Sequence, residues 1–217
     1  MKLYTYFRSS AAYRVRIALN LKGLAYEAQP VHLLRDGGEQ LADAYRAINP
    51  SRLLPTLEDD DGTVIGQSLA ILEYLEDTRP QTPLLPADAA GRARARALAL
   101  TVVADTHPLG NLRVLKYIKG EMGQTEEVKL EWHRHWLRSG LATLESLLAG
   151  DARTGIYSHG DTPTIADCCL APHVFNAQRF ELDTTPYPTV MRINTACAAL
   201  PAFQQAHPSQ QPDAELS

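Results

Sequence analysis

Three polar residues near the start of the chain, Arg8, Ser9 and Ser10, have the types and spacing to bind an anion. They stand between residues 3–7, an apolar segment that predicts a strand, and residues 11–22, a periodic segment that predicts a helix. A serine at a helix start can accept hydrogen bonds from the first backbone N–H groups, and those groups, with the helix dipole, also attract negative charge. Because Arg8 adds a full positive charge, we expect a site for a thiolate, a phosphate or a carboxylate.

Two further segments offer backbone or hydroxyl groups to a ligand. Pro55 follows Leu54 where a turn meets a predicted strand. A cis bond there would leave the Leu54 backbone free to pair with an extended peptide, whereas a trans bond would make an ordinary strand opening. Ser68 follows Gln67 at the start of another helical pattern, and its hydroxyl suits either a plain N-cap or a second anion site for a carboxylate. The residues alone leave both pairs of alternatives open.

A third polar group lies further along the chain. His107 and Asn111 are four residues apart, so a continuous helix would place them on one face, and Pro108 between them predicts a kink. The pair could face a cleft beside the kink or lie on the protein surface. Arg179 follows a largely apolar stretch and must reach either solvent or an anion.

The elements that must position these residues alternate over the first part of the chain. The order over residues 1–78 is β-α-β-α-β-β-α, which predicts an α/β domain that ends in a hairpin and a helix. Besides the first strand and helix, the predicted strands are residues 26–31, 54–58 and 63–65, and the predicted helices are residues 40–47 and 68–77.

A proline-dense segment, residues 79–86, separates this part from one that is purely helical. Helical patterns run from residue 89 to about 119 and from about 126 to 148, and a third helix is predicted after Thr164, which forms a capping box with Asp167. We therefore predict an α/β domain at residues 1–80, a linker at 81–87 and an all-α domain at 88–217.

Composition narrows the class of protein. With a formal net charge of −4 and 21% charged residues, the chain is not a general nucleic-acid binder. Its three cysteines, Cys168, Cys169 and Cys197, lie in apolar helical contexts without zinc-ligand spacing, which predicts buried thiols in a reducing compartment. No apolar run approaches the roughly 20 residues of a membrane span, and a strand pattern begins at once, so we expect no signal peptide. The chain is predicted to be cytoplasmic, without a metal and without a membrane partner.

The segment that contains the two serines also carries a family signature. Residues 9–19 read Ser-Ser-Ala-Ala-Tyr-Arg-Val-Arg-Ile-Ala-Leu, and the zeta class of glutathione transferases has Ser-Ser-Cys-x-x-Arg-Val-Arg-Ile-Ala-Leu. The chain resembles that class over essentially its whole length. Further matching motifs are Asp36-Gly37-Gly38, Asn49-Pro50, Leu54-Pro55-Thr56-Leu57, Gln67-Ser68-Leu69-Ala70-Ile71, Gly160-Asp161, Asn176-Ala177-Gln178-Arg179-Phe180 and Gln211-Pro212-Asp213.

This resemblance implies a thioredoxin-like N-terminal domain, an all-helical C-terminal domain, a homodimer and glutathione as cofactor. It implies that Ser9 donates its hydroxyl to the glutathione sulfur, with Ser10 and Arg8 as the other catalytic residues. Arg8 and Arg179 are implied to hold substrate carboxylates.

The resemblance also implies a set of glutathione-binding residues. Leu54 is implied to pair its backbone with the cysteinyl unit, with Pro55 cis, and Gln40 to lie near the glycyl end. Gln67 and Ser68 are implied to hold the γ-glutamyl end. The remaining implied contacts are Ser9, Ser10, Ala11, His107, Asn111, Leu112 and Arg113.

The chain departs from the family pattern at two positions. Ala11 replaces the cysteine of the signature, so any nucleophile at this helix start must come from the ligand. Gly110 stands where the family often has asparagine, and we expect the smaller residue to widen the substrate pocket.

The activity that the resemblance implies is cis–trans isomerisation of 4-maleylacetoacetate to 4-fumarylacetoacetate, by reversible addition of a thiolate to the double bond. The alternatives are the same reaction on the shorter maleylpyruvate, a conjugating or dehalogenating transferase, and an interaction module without catalysis. The uncharged Leu112 favours the longer substrate, and the presence of Ser9, Gln67 and Ser68 argues against the non-catalytic alternative.

Overall fold

The computed structural model describes residues 1–215, which fold as two compact units. The first unit comprises Met1–Leu84 together with residues 199–215, and the second is Leu85–Ala198. The prediction had instead assigned residues 88–217 to one helical domain, after a linker at 81–87. The difference lies at the C-terminal end, which packs with the first unit.

A four-stranded sheet forms the centre of the first unit. Its strands are β1 (Lys2–Thr5), β2 (Glu27–Pro30), β3 (Thr56–Glu58) and β4 (Val64–Gly66), in the order β2-β1-β3-β4. Strand β1 is parallel to β2 and antiparallel to β3, and β3 and β4 form the predicted antiparallel hairpin. The pairing of Thr5 with Pro30 and of Thr56 with Gly66 brings the ends of β1, β2 and β4 and the start of β3 to one end of the sheet.

Helix α1 (Ser10–Leu21) follows β1, helix α2 (Asp43–Ile48) lies between β2 and β3, and helix α3 (Ser68–Thr78) follows β4. Helices α1 and α3 bury their apolar residues, including Val15, Leu19 and Leu72, which are fully buried. Helix α2 begins later than predicted, because residues 39–41 form a separate 3₁₀ turn.

The C-terminal residues return to α1. A short helix at Pro201–Ala206 buries Phe203, and two polar side chains of α1 bind its backbone. Arg16 Nε donates to the Ala206 carbonyl at 3.0 Å, and Asn20 Nδ2 donates to the Ala202 carbonyl at 3.0 Å. The bond to Ala206 gives a partner to a carbonyl at the helix end, and both bonds tie this segment to α1 of the first unit.

The second unit is helical in its described residues. Its α-helices, numbered onward from α3, are α4 (Ala89–Leu100), α5 (Leu112–Gly120), α6 (Glu126–Leu148), α7 (Ile165–Arg179) and α8 (Pro188–Ala198). The helix at Pro201–Ala206 is then α9. The bounds of α6 match the prediction, and so does the capping box of α7. There the Thr164 hydroxyl accepts from Ala166 N–H, and the buried Asp167 carboxylate accepts from Thr164 N–H at 2.8 Å.

The helical pattern predicted from residue 89 to about 119 is interrupted at the kink predicted for Pro108, but the interruption begins earlier than that, at Thr101. Helix α4 passes into a π-helical turn at Thr101–Thr106 and a 3₁₀ turn at His107–Gly110 before α5 begins. Pro108 has no N–H with which to continue an α-helix, and before it the His107 N–H reaches back to the Val102 carbonyl, the spacing of a π-helical turn. The Thr106 hydroxyl shares its proton between the Thr101 and Val102 carbonyls. None of the helices described is both long and apolar enough to cross a membrane.

Candidate active site

Ser9 occupies the N-cap of α1, as its position in the sequence predicts. Its backbone is extended, and its hydroxyl accepts a hydrogen bond from Ala12 N–H at 3.2 Å. A serine hydroxyl has one proton and two lone pairs, so Ser9 can cap the helix and still donate to an anion. The first turn of α1 contains no acidic residue, and the field at this helix end therefore stays positive.

Arg8 extends beside this helix start and is partly held there. Its Nη2 atom donates to the Tyr6 hydroxyl at 3.2 Å, and its guanidinium carbon lies 4.8 Å from the centre of the Phe7 ring. Arg8 is half-buried, whereas Ser10 and Ala11 in the first turn are buried. The loop thus presents one cation and one hydroxyl at the open end of α1.

The Leu54–Pro55 peptide bond is cis, which confirms the prediction from the resemblance. The preceding turn is fixed at the Leu53 carbonyl, which accepts from the Tyr45 hydroxyl at 2.7 Å and from Asn49 Nδ2 at 3.0 Å. Within residues 1–215, no hydrogen bond engages the N–H or the carbonyl of the half-buried Leu54. Those two groups can therefore pair with an extended peptide.

Gln67 and Ser68 lie where β4 passes into α3. Gln67 has φ +68° and ψ 115°, a backbone conformation that costs an ordinary residue about 1–3 kcal/mol and that marks functional sites. Gln67, and not Ser68, is the N-cap, so the prediction of Ser68 as N-cap is wrong. The buried Ser68 hydroxyl instead accepts from Arg14 Nη1 at 3.2 Å. No side chain caps α3, so its first N–H groups are open to a ligand, and the positive charge of Arg14 lies against Ser68. Both features suit the binding of a carboxylate.

Gln40 is buried in the loop that follows β2. Its amide packs against Gly38, where a Cβ atom would lie 2.7 Å from both the Nε2 and the Oε1 atoms. The Oε1 atom is buried, and it has no hydrogen-bond partner among the residues that the structure describes. This side chain is therefore a polar group whose bonding capacity is not met within the fold.

The sheet register explains how these parts come together. Ser9 follows β1, Gln40 follows β2, Pro55 precedes β3 and Gln67 follows β4, all at the same end of the sheet. The bond from Arg14 to Ser68 also joins α1 to α3. One end of the sheet in the first unit therefore carries two anion sites, at Ser9 and at Ser68. It also carries the unpaired backbone groups of Leu54 and the unsatisfied amide oxygen of Gln40.

The remaining predicted residues lie in the second unit. His107 begins the 3₁₀ turn, and Asn111 caps α5 by accepting from Arg113 N–H at 3.1 Å. The two therefore do not share one face of a continuous helix, contrary to that prediction. Leu112 is half-buried and Arg113 is exposed.

Arg179 is exposed at the end of α7, beside an aromatic ring. Its guanidinium carbon lies 4.8 Å from the centre of the Phe180 ring, and its Nη1 lies 3.5 Å from the Asn176 amide oxygen. The Phe180 carbonyl accepts from Arg134 Nε at 3.1 Å, which anchors the residue that supports Arg179.

His133 occupies the space that Gly110 leaves open. A Cβ atom on Gly110 would lie 2.6 Å from His133 Nδ1, and the imidazole ring packs 4.3 Å from the Phe180 ring. Burial, together with the charges of Arg179 and Lys129, lowers the pKa of His133 to about 4. The prediction that Gly110 widens a pocket is therefore wrong at this point, because an imidazole fills the volume.

Sequence reasoning assigned no role to Arg14, Arg16, His133 or Asp213, although Arg14, Arg16 and Asp213 lie within the matching motifs. The charged residues of α1 could have been noticed, since arginines at 14 and 16 interrupt a helix that is otherwise apolar and is buried on most sides. Nothing local in the sequence indicates that His133 meets Gly110, because the two belong to separate helical segments.

Two family models match the chain. The glutathione S-transferase N-terminal domain matches residues 8–78, and the glutathione S-transferase C-terminal domain matches residues 137–208. A relative from Vibrio cholerae named probable maleylacetoacetate isomerase is 49% identical over 98% of this chain and 97% of its own length.

Two solved structures are similar over nearly the whole chain. One is a holo structure of maleyl pyruvate isomerase, described as a bacterial glutathione S-transferase of the zeta class, with TM-score 0.95 and 48% identity over 99% of this chain and all of that chain. The other is maleylacetoacetate isomerase from Methylobacterium extorquens with bound malonate and glutathione, with TM-score 0.96 and 46% identity over the full length of both chains.

Proposed function

The chain belongs to the zeta class of the glutathione S-transferase family, and from this membership we propose that it catalyses glutathione-dependent cis–trans isomerisation of 4-maleylacetoacetate. The observation that carries the proposal is the open, positively polarised start of α1, with the Ser9 hydroxyl placed to donate. A relative with the isomerase name covers nearly the full chain, and a similar structure binds glutathione together with a dicarboxylate.

Glutathione fits the groups present in the first unit. The Leu54 N–H and carbonyl are without partners in the described chain and suit the cysteinyl unit. The unpartnered Gln40 Oε1 lies in the loop proposed for the glycyl end. Ser68, backed by Arg14, and the strained Gln67 suit the γ-glutamyl carboxylate. When bound, glutathione supplies a thiolate that adds reversibly to the substrate double bond and so permits rotation about it.

The residues of the chain prepare this chemistry by stabilising charge. The Ser9 hydroxyl and the first N–H groups of α1 favour the ionised form of a thiol at this helix end. Lowering a thiol pKa of about 8.5 by one to two units raises the thiolate fraction at neutral pH roughly tenfold or more. The buried Ala11 provides no thiol of its own, so the nucleophile does not depend on a protein cysteine.

We assign the substrate carboxylates to two arginines. Arg8 lies next to Ser9 in the first unit, and Arg179 rests on Phe180 in the second. Arginine pairs with carboxylates through two parallel hydrogen bonds, which fixes orientation as well as charge. His107, Asn111, Leu112 and Arg113 are proposed ligand contacts of the second unit.

Maleylpyruvate is the second candidate substrate. A maleyl pyruvate isomerase resembles this chain as closely as the maleylacetoacetate isomerases do, at 48% identity and TM-score 0.95. The two substrates share the cis double bond and differ in length, so the same residues would serve both. A transferase that conjugates its substrate, or that displaces a halide ion from it, would leave the glutathione sulfur bonded to the product.

An absorbance assay with each substrate, with and without glutathione, tests the proposal. We expect turnover only with glutathione present and no net consumption of it. Turnover of neither substrate would overturn the isomerase assignment, and consumption of glutathione would favour the transferase. Ser9→Ala is expected to lower kcat at least about tenfold. Ser146→Ala, which removes an exposed hydroxyl from α6, is the control and is expected to retain full activity.

The cellular setting is part of the same proposal. We place the protein in the cytoplasm as a homodimer, supported by the family and by three free cysteines that are all buried. Light scattering coupled to gel filtration gives the mass in solution. A mass equal to the single chain of 23.9 kDa would contradict the dimer.

A further inference from the structure

The C-terminal segment of the chain is hydrogen-bonded to the loop that holds Arg8 and Ser9. The Asp213 Oδ2 atom accepts from Phe7 N–H at 3.0 Å, across most of the length of the sequence. Its other oxygen, Oδ1, is buried and has no hydrogen-bond partner in the described part of the chain. A carboxylate in this setting needs a nearby cation to offset its charge.

Arg16 of α1 carries a positive charge that interacts electrostatically with this carboxylate, and it holds the Phe7 carbonyl of the same loop. The residue is fully buried, and Asp213 is among the groups that favour its charged form. Burial lowers the pKa of Arg16 to about 10, so the guanidinium remains protonated at neutral pH. Its Nη2 donates to the Phe7 carbonyl at 3.0 Å, and its Nη1 donates to the Tyr6 carbonyl at 3.4 Å and to Thr5 Oγ1 at 3.1 Å.

Phe7 is therefore bound on both sides by opposite charges. Its N–H meets the Asp213 carboxylate, and its carbonyl meets the Arg16 guanidinium. The Tyr6 carbonyl also accepts from Ser9 N–H at 2.9 Å, so the backbone from Tyr6 to Ser9 is held at successive groups. This is the backbone that places the Ser9 hydroxyl and the Arg8 side chain.

The C-terminal segment has its own anchors. Gln211 Nε2 donates to the Gln205 carbonyl at 2.8 Å and to the His207 carbonyl at 3.0 Å. Glu215 Oε1 lies 3.1 Å from His32 Nε2 and 3.4 Å from Arg35 Nη2. Because these anchors hold residues 211–215 independently of Phe7, the Asp213 carboxylate has a fixed place from which to hold the loop.

We propose that Asp213 and Arg16 are positioning residues for the thiolate site, and this inference rests on the proposed function. They fix the Phe7 peptide, and through it the hydroxyl of Ser9 and the open N–H groups of α1. Stabilisation of an anion by fixed donors falls steeply when the donors move by a fraction of an ångström. The C-terminal segment thus sets the acidity of the bound thiol without touching it.

Three variants separate positioning from mere stabilisation. Asp213→Ala removes the acceptor, Asp213→Asn keeps a carbonyl oxygen that can accept from Phe7 N–H, and Thr164→Ala is the control. Thr164 caps α7, so its removal costs stability without touching the loop or the C-terminal segment. All three are expected to lower the melting temperature.

The first measurement is the pKa of bound glutathione, followed by the ultraviolet absorbance of its thiolate. We expect a rise of about one unit in Asp213→Ala, equal to a roughly tenfold loss of thiolate at neutral pH. Asp213→Asn is expected to recover most of the loss, and Thr164→Ala to match the parent. A thiol pKa in Asp213→Ala equal to that of the parent would overturn the positioning role.

The second measurement needs no ligand. Hydrogen exchange in peptides that cover residues 3–19 is expected to accelerate at least about tenfold in Asp213→Ala but not in Thr164→Ala. If the parent bound no glutathione, the proposed function would fail while the exchange data would still decide whether Asp213 holds the loop. Unchanged exchange at residues 6–12 in Asp213→Ala would refute the inference whatever the ligand.

Discussion

The imidazole of His133 makes the stability of the second unit sensitive to acid. The side chain is 4% exposed, and its pKa in the folded chain is about 4, compared with 6.5 for a hydrated histidine. Between these values the unfolded chain binds more protons at this residue than the folded chain does. The contribution of His133 to the free energy of unfolding is therefore fully present above pH 6.5 and is lost progressively as the pH falls towards 4.

The size of the effect follows from the two pKa values. One unit of difference corresponds to about 1.4 kcal/mol, so the full difference amounts to about 3 kcal/mol. Between about pH 7 and about pH 5, the expected loss in unfolding free energy from this residue is about 2 kcal/mol. The cause is burial first, and then the positive charges of Arg179 and Lys129.

Urea unfolding followed by tryptophan fluorescence measures this loss. Both tryptophans, Trp132 and Trp136, lie on α6 beside His133, so their signal reports on this helix. His133→Leu removes the titrating group at similar volume. We expect the parent to lose about 2 kcal/mol more than this variant between the two pH values.

Ser146→Ala provides the control. Ser146 is exposed on the same helix and its hydroxyl does not titrate in this pH range. This variant is expected to show the same pH dependence as the parent. If His133→Leu also kept the full acid sensitivity of the parent, the argument from a buried neutral imidazole would be refuted.

Three further predictions follow from the same structure. Gly110→Ala places a Cβ atom 2.6 Å from His133 Nδ1, so we expect a loss of about 1–3 kcal/mol in unfolding free energy. Adding His133→Ala should relieve part of that loss, and strict additivity in a double-mutant cycle would contradict the contact. Thr164→Ala removes the cap of α7 and should lower the unfolding free energy by about 1 kcal/mol, with the glutathione Kd unchanged. Arg179→Ala is expected to raise KM for the dicarboxylate about tenfold or more while the glutathione Kd stays constant, and an unchanged KM would remove Arg179 from the substrate site.

Much of the fold could be predicted from the sequence because its determinants are local. The alternation of strands and helices, the bounds of α6 and the capping box at Thr164 depend on residues within a few positions of one another. The α/β unit and the helical unit are confirmed, and so is the cis bond before Pro55, which the family resemblance implied.

The errors arise where local pattern and tertiary packing disagree. Ser68 has the residue type of a cap, but its hydroxyl is taken by Arg14 of another helix, and the cap falls on Gln67. The helical pattern through residue 119 is interrupted around Pro108, where the chain forms a π-helical turn and then a 3₁₀ turn. Gly110 looks like vacant space in the sequence, yet His133 fills it.

By itself, the sequence determined the family, the alternation of elements and the chemistry at the start of α1. Serines after a strand and before a helix create an anion site through backbone geometry that any such segment shares. Only the tertiary structure decided what holds that site in place. The pairing of Phe7 with Asp213 and Arg16, and of Ser68 with Arg14, joins residues far apart in the chain. Such bonds depend on burial and on the meeting of distant elements, which no local pattern of residues can specify.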